Sequence, residues 1–137
     1  MITEHEILER MTPLLVEVLG VAPEKIRPES VLVADLGAES IDLLDLSFRL
    51  EEAFEVRLEA NEIEREVRGR LPGGVYEKDG RLTAEALAAI RAGWPELDGS
   101  QLTLGLRKMD LPALLTVRFF VRLVARKLAE KKGAIHA

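Results

Sequence analysis

The chain has no cysteine, which excludes disulfides, thiolate metal ligands and a cysteine nucleophile, and fits a reducing compartment. It has two histidines, His5 and His136, at opposite ends of its 137 residues. A Ser-His-Asp arrangement or a pair of metal-binding histidines on one helix therefore has nothing to be built from. Aromatic residues make up only 4%, so a core must come from Leu, Val, Ile and Ala. Ten glycines and six prolines are too few and too scattered for a fibrous or disordered chain. No run approaches the roughly 18 uncharged apolar residues of a membrane span. The acidic opening Met1-Ile2-Thr3-Glu4-His5-Glu6 lacks the apolar stretch of a secretory signal. These absences predict one soluble, cytoplasmic domain over residues 1–137 with no catalytic centre of its own.

What is present is charge, unevenly placed. Residues 1–66 carry 17 acids against 6 bases, residues 67–110 carry 6 against 7, and residues 111–137 carry 1 against 6, within a net charge of −5. An acidic half of this kind can steer a basic partner. Bases cluster at one end of a net-acidic chain, so nucleic acid is not an expected partner.

Apolar spacing predicts an all-α fold. Thr3 and Glu6 form a capping-box pattern ahead of Ile7, Met11, Leu15 and Leu19, with Gly20 as a stop and Pro13 predicting a kink or a restart at Thr12. Residues 20–39, with Pro23 and Pro28, read as a long ordered loop. A helix follows from about Ser40 to Phe54, and Asn61 is placed to cap a short helix near Glu62–Val67. Residues 68–109 change character: Pro72-Gly73-Gly74 is a turn, Asp79-Gly80 suggests a small hairpin, and Thr83 caps a helix carrying Leu87 and Ile90. Asp110 and Pro112 suit the opening of a long last helix to about Lys131, roughly 30 Å at 1.5 Å per residue. Its apolar residues flank an Arg118, Arg122, Arg126 stripe on both sides, and two apolar faces need two partners. The expected architecture is a four-helix bundle with a largely helical insertion over about 68–109, between the third and fourth helices.

One serine stands out. Ser40 follows Asp35-Leu36-Gly37-Ala38-Glu39 and opens an acid-studded helix. As an isolated residue it reads as a helix N-cap. In this setting the sequence resembles the acyl carrier protein family, from Ile7 to about Arg65. The resemblance rests on Leu19-Gly20-Val21, on Asp35-Leu36-Gly37-Ala38-Glu39-Ser40-Ile41-Asp42 and on Leu50-Glu51-Glu52-Ala53-Phe54. Glu39-Ser40-Ile41 stands where the family more often has Asp-Ser-Leu, and Arg49 interrupts the acidic face. The insertion and the long last helix make the chain similar to enlarged bacterial carriers dedicated to particular lipid or polyketide products.

That resemblance implies a carrier rather than an enzyme. It implies 4′-phosphopantetheine on Ser40, added from coenzyme A by a separate phosphopantetheinyl transferase. It implies Glu39, Asp42, Asp45, Glu51 and Glu52 as docking acids for acyl-transferring, ketosynthase-type or ligase enzymes with basic patches, as in fatty acid and lipid biosynthesis. Asp35 and Gly37 would shape the loop. The enlarged body suggests an acyl pocket from Phe48, Leu87, Ile90, Trp94, Phe119, Phe120 and Leu123; its alternative is an insertion that merely covers an apolar helix face. Two other readings stay open: a carrier-fold interaction domain without the arm, and association of the last helix with a membrane surface through its arginines and aromatics.

Overall fold

The computed structural model describes residues 2–59, 61–71 and 73–136, with side chains as far as residue 131. Pro72 of the expected turn and the side chain of His136 lie outside the described residues. Six α-helices account for most of the chain: α1 (Glu4–Leu19), α2 (Leu32–Leu36), α3 (Ser40–Phe54), α4 (Glu62–Arg70), α5 (Ala84–Gly93) and α6 (Val117–His136). A two-stranded antiparallel hairpin, β1 (Glu77–Lys78) and β2 (Arg81–Leu82), is the sheet among these residues. The all-α expectation holds.

Helix α1 opens on the Thr3–Glu6 capping box, Glu6 N donating to Thr3 Oγ1 at 3.1 Å and Thr3 N to Glu6 Oε1 at 3.2 Å. It ends at Gly20. The expected restart at Thr12 does not occur, because α1 runs unbroken through Pro13. Pro13 and Glu9, whose carbonyl loses its donor, are both exposed, so the carbonyl is open to water in place of the missing bond.

Residues 20–39 are more regular than expected. Pro23–Lys25 forms a 3₁₀ turn and Leu32–Leu36 forms α2. Leu32 and Leu36 are four residues apart and both buried, which gives even this short helix one apolar face to anchor.

The last helix also departs from expectation, starting at Val117 rather than near Asp110. Lys108–Leu114, which contains Pro112, is 3₁₀, and Leu115 is extended. The break exists because this strand-like step pairs with the loop before α2. Leu32 N donates to Leu115 O and Val117 N to Ser30 O, each at 3.0 Å, and Arg118 N donates to Pro28 O at 2.8 Å. Thr116 then caps α6, its hydroxyl accepting from Phe119 N at 3.0 Å.

Helices α1, α3 and α6 pack on one another, and α4 pairs with α5. Val117, Phe119, Phe120, Val121, Leu123 and Val124 are all buried, so α6 is covered on both sides of its arginine stripe. One side meets the bundle. The other meets α4 and the insertion, where Arg126 binds Glu66 at 2.7 Å and Arg122 binds Glu96 at 3.2 Å. Two of the three arginines of its stripe, Arg122 and Arg126, are in ion pairs with other elements. No helix of the described residues is long and apolar enough to cross a membrane.

In the insertion, Asp79 and Gly80 both take positive φ, 52° and 79°, the pair of left-handed residues a tight hairpin needs. The free edge of β2 is covered by residues 106–108, with Leu82 N donating to Leu106 O at 2.9 Å and Lys108 N to Gly80 O at 2.8 Å. Thr83 caps α5.

Candidate functional site

Asp35 through Asp42 form a continuous device in which nearly every residue has a structural duty. Asp35 Oδ2 accepts from Val31 N at 2.7 Å and so ties the start of α2. Leu36 is buried. Gly37 takes φ 72°, a left-handed conformation that glycine adopts without a steric penalty and that ends the helix; its N–H returns to Val33 O at 3.1 Å. Ala38 is buried, its N–H bonded to Leu32 O at 2.9 Å. Glu39 is the N-cap residue of α3, and its amide donates to Asp42 Oδ2 at 2.8 Å.

Ser40 is the exception. It is the first residue within α3 rather than its cap. It is exposed, and its hydroxyl has no hydrogen-bond partner among the described residues. Ser40 is thus not the cap that an isolated serine would provide: its neighbours cap the helix and leave it uncommitted. Its surroundings suit an anion, since the orphan amides and the dipole of a helix start favour negative charge.

Five acids were expected to face partners, and they divide. Asp42 is held by the Glu39 amide. Glu51 Oε2 accepts from Leu58 N at 3.0 Å, fixing the turn after α3. Asp45 lies 3.2 Å from Arg49 Nε, and Arg49 reaches Glu17 at 3.1 Å. Those two acids raise the Arg49 pKa, Glu17 first. Glu39 and Glu52 are exposed, and neither carboxylate is in an ion pair among the described residues. Between the acids, α3 shows Ile41, Leu44 and Phe48, which are 69%, 49% and 59% exposed, an apolar stripe at helical spacing.

A cleft of about 510 Å³ begins at Ser40 and runs between α3, α4, α6 and the 3₁₀ segment. Leu43, Leu44 and Phe48 of α3 form one wall, Phe119, Phe120 and Leu123 of α6 another, and Leu111 and Leu115 the floor. Of the pocket residues expected from sequence, Phe48, Phe119, Phe120 and Leu123 meet here. Leu87, Ile90 and Trp94 do not line the cleft; they are buried where α5 packs on α4, a contact that consumes their apolar surface. Trp94 is flanked by Arg70 and Arg126, 5.6 and 5.8 Å from its ring centroid.

The insertion contributes instead through Tyr76 and Lys108, which sequence reasoning did not reach. Tyr76 is the chain's sole tyrosine, the one signal that marks it. Lys108 Nζ sits 2.8 Å from Glu64 and 3.2 Å from Glu77. Bonding to Lys108 holds the Glu64 carboxyl below its usual range and in turn raises the lysine. Burial pushes the Tyr76 phenol up to about 12, with the nearby Glu64 charge adding to it.

A family model described as phosphopantetheine attachment site matches residues 9–66. The chain is 39% identical over 59 residues to an acyl carrier protein of Campylobacter fetus subsp. fetus (strain 82-40), covering 43% of this chain and 77% of that relative. No solved structure matches. The family match contains Ser40, and residues 67–137 lie beyond it.

Proposed function

The chain belongs to the acyl carrier protein family, and on that premise we propose that Ser40 bears 4′-phosphopantetheine and that the protein presents an acyl intermediate to lipid or polyketide biosynthetic enzymes. The observation that carries this reading is the Ser40 hydroxyl, exposed and without a hydrogen-bond partner among the described residues, at the start of a helix capped by its neighbours. The arm, when bound, supplies a thiol that holds the acyl group as a thioester.

The chain's own residues have separable roles in this reading. The amides at the start of α3 lie beside the phosphate attachment point and favour its charge. Glu39 and Glu52 steer enzymes with basic patches, raising association rates at little desolvation cost. Ile41, Leu44 and Phe48 give such partners an apolar centre to bury. The phosphopantetheinyl transferase would meet the same surface. Residues 1–137 act as one domain, in which the cleft beside Ser40 shelters the chain of the cargo, worth about 0.8 kcal/mol for each methylene removed from water.

Incubation with coenzyme A and a broad-specificity phosphopantetheinyl transferase tests the assignment by intact mass. Wild type gains one phosphopantetheine and Ser40→Ala gains none. An unmodified wild type, or a modified Ser40→Ala, leaves the carrier-fold interaction domain as the better reading.

A further inference from the structure

The insertion places on the cleft one tyrosine whose hydroxyl the fold does not use. Tyr76 stands just before β1, its backbone oxygen accepting from Thr83 N at 3.1 Å and its ring 5.1 Å from the Arg68 guanidinium carbon. The residue is only 2% exposed and lines the cleft. Its phenolic hydroxyl has no hydrogen-bond partner among the described residues. Yet no fully enclosed side-chain nitrogen or oxygen there is left unpartnered. The hydroxyl is therefore not fully enclosed, and the cleft is the open space that Tyr76 lines. A nearly buried hydroxyl with no protein partner is completed by water or by a polar group that enters the site and displaces it.

The charges nearby narrow what that something is. Lys108 is clasped by Glu64 and Glu77, and Glu64 also holds Arg68 at 3.0 Å, so two cations offset two anions around the phenol. Glu51, Glu59 and Glu62 line the same cleft and would repel a carboxylate-ended chain. A cationic chain would meet Lys108. It would find Glu59, Glu62 and Glu64 already paired with Arg65, Lys127 and Lys108, and Glu51 bonded to Leu58 N. The remaining wall is aliphatic and aromatic. A neutral oxygen on an otherwise apolar chain is the chemistry that fits.

We propose that the cleft selects acyl chains bearing a hydroxyl or oxo group, and that Tyr76 is the residue that hydrogen-bonds it. The inference rests on the carrier reading of Ser40. It makes Tyr76 a specificity determinant supplied by the insertion. With its pKa pushed up to about 12 by burial, the phenol keeps its proton at neutral pH and can donate.

The neutral oxygen has two sources, the acyl chain and the amides of the arm, and the test separates them. Wild type and Tyr76→Phe are loaded at Ser40 with the bare arm, with a decanoyl arm, and with hydroxydecanoyl arms bearing the hydroxyl near the thioester or near the far end. Thermal midpoints are compared, with loading verified by mass. In wild type at least one hydroxydecanoyl form should melt above the decanoyl form by about 3 °C. In Tyr76→Phe that extra rise should vanish while the decanoyl rise remains. No extra rise in wild type, or one that survives in Tyr76→Phe, overturns the proposal. So does a Tyr76-dependent rise already complete with the bare arm, which would assign the bond to the arm. A wild type that accepts no arm brings down the carrier reading and this inference together; a loaded protein without the preference loses the inference alone.

Discussion

Asp42 bonds Glu39 across Ser40: the Asp42 carboxylate accepts the Glu39 amide at 2.8 Å, closing the start of α3 around a serine that takes no part. Stability and modification should therefore separate. Asp42→Ala should cost about 1 kcal/mol, the usual worth of a helix-start cap. Ser40→Ala, at an exposed position with no bond to lose, should stay within about 0.5 kcal/mol of wild type while abolishing attachment of the arm. Urea denaturation of both variants checks this.

Gly37 positions the serine through conformation alone. A Cβ at this position would meet nothing within 4 Å, but the backbone holds φ 72°. Gly37→Ala should destabilise by about 1–2 kcal/mol, the cost of a left-handed residue with a side chain. Gly37→Asn should cost less, since asparagine tolerates that region better. Denaturation midpoints of the pair check the ordering.

Tyr76 should titrate alone and late. It is the sole tyrosine, and its phenol is raised from 10.0 to about 12 by burial and by Glu64. Near-ultraviolet absorbance of the folded protein should show no ionisation until well above pH 10. Between about pH 10 and 12 the unfolded chain releases this proton and the folded one keeps it. Stability from this group, complete below pH 10, should fall as pH rises through that window, by at most about 1.4 kcal/mol per pH unit. Tyr76→Phe should remove that part of the slope.

The Glu64–Lys108 bond predicts the acid side. Glu64 is lowered from 4.5, chiefly by its hydrogen bond to Lys108. Its contribution is present above pH 4.5 and is lost as pH falls through the lowered value, because the folded state must then protonate a bonded carboxylate. Glu64→Gln should flatten the acid limb of a stability–pH profile. A profile unchanged by that substitution would show that the bond adds nothing.

Arg126 joins α6 to α4 and to the insertion, with Nη1 at 2.7 and 2.8 Å from the two Glu66 oxygens and the guanidinium over Trp94. A double-mutant cycle on Arg126 and Glu66 should give a coupling of about 0.5–1 kcal/mol, discounted for the one-third exposure of the arginine. Trp94, the one tryptophan, should become more accessible to a fluorescence quencher in Arg126→Ala.

Local signals were legible where a residue's neighbours in sequence decide its state. The Thr3–Glu6 box, the Gly20 stop, the Asp79-Gly80 hairpin and the Thr83 cap all act over a few residues, and the structure has each of them. Signals failed where a distant segment intervened. The start of α6 moved to Val117 because the chain before it pairs with residues 28–32, more than 80 positions earlier. Leu87, Ile90 and Trp94 are apolar and buried, but burial does not say which cavity a residue faces.

By itself the sequence determined the all-α class, the family motif and the serine it displays, because short-range capping, turn chemistry and apolar periodicity are written residue by residue. Tertiary structure decided that Glu39 and Asp42, rather than Ser40, close α3, and that α6 is covered on both sides. It also decided that the insertion adds Tyr76 and Lys108 to the polar lining of the cleft beside Ser40. A lone hydroxyl or a lysine carries no periodicity. Only the packing of the insertion against α4 and α6 brings Lys108 to Glu64 and sets Tyr76 at the edge of that cleft.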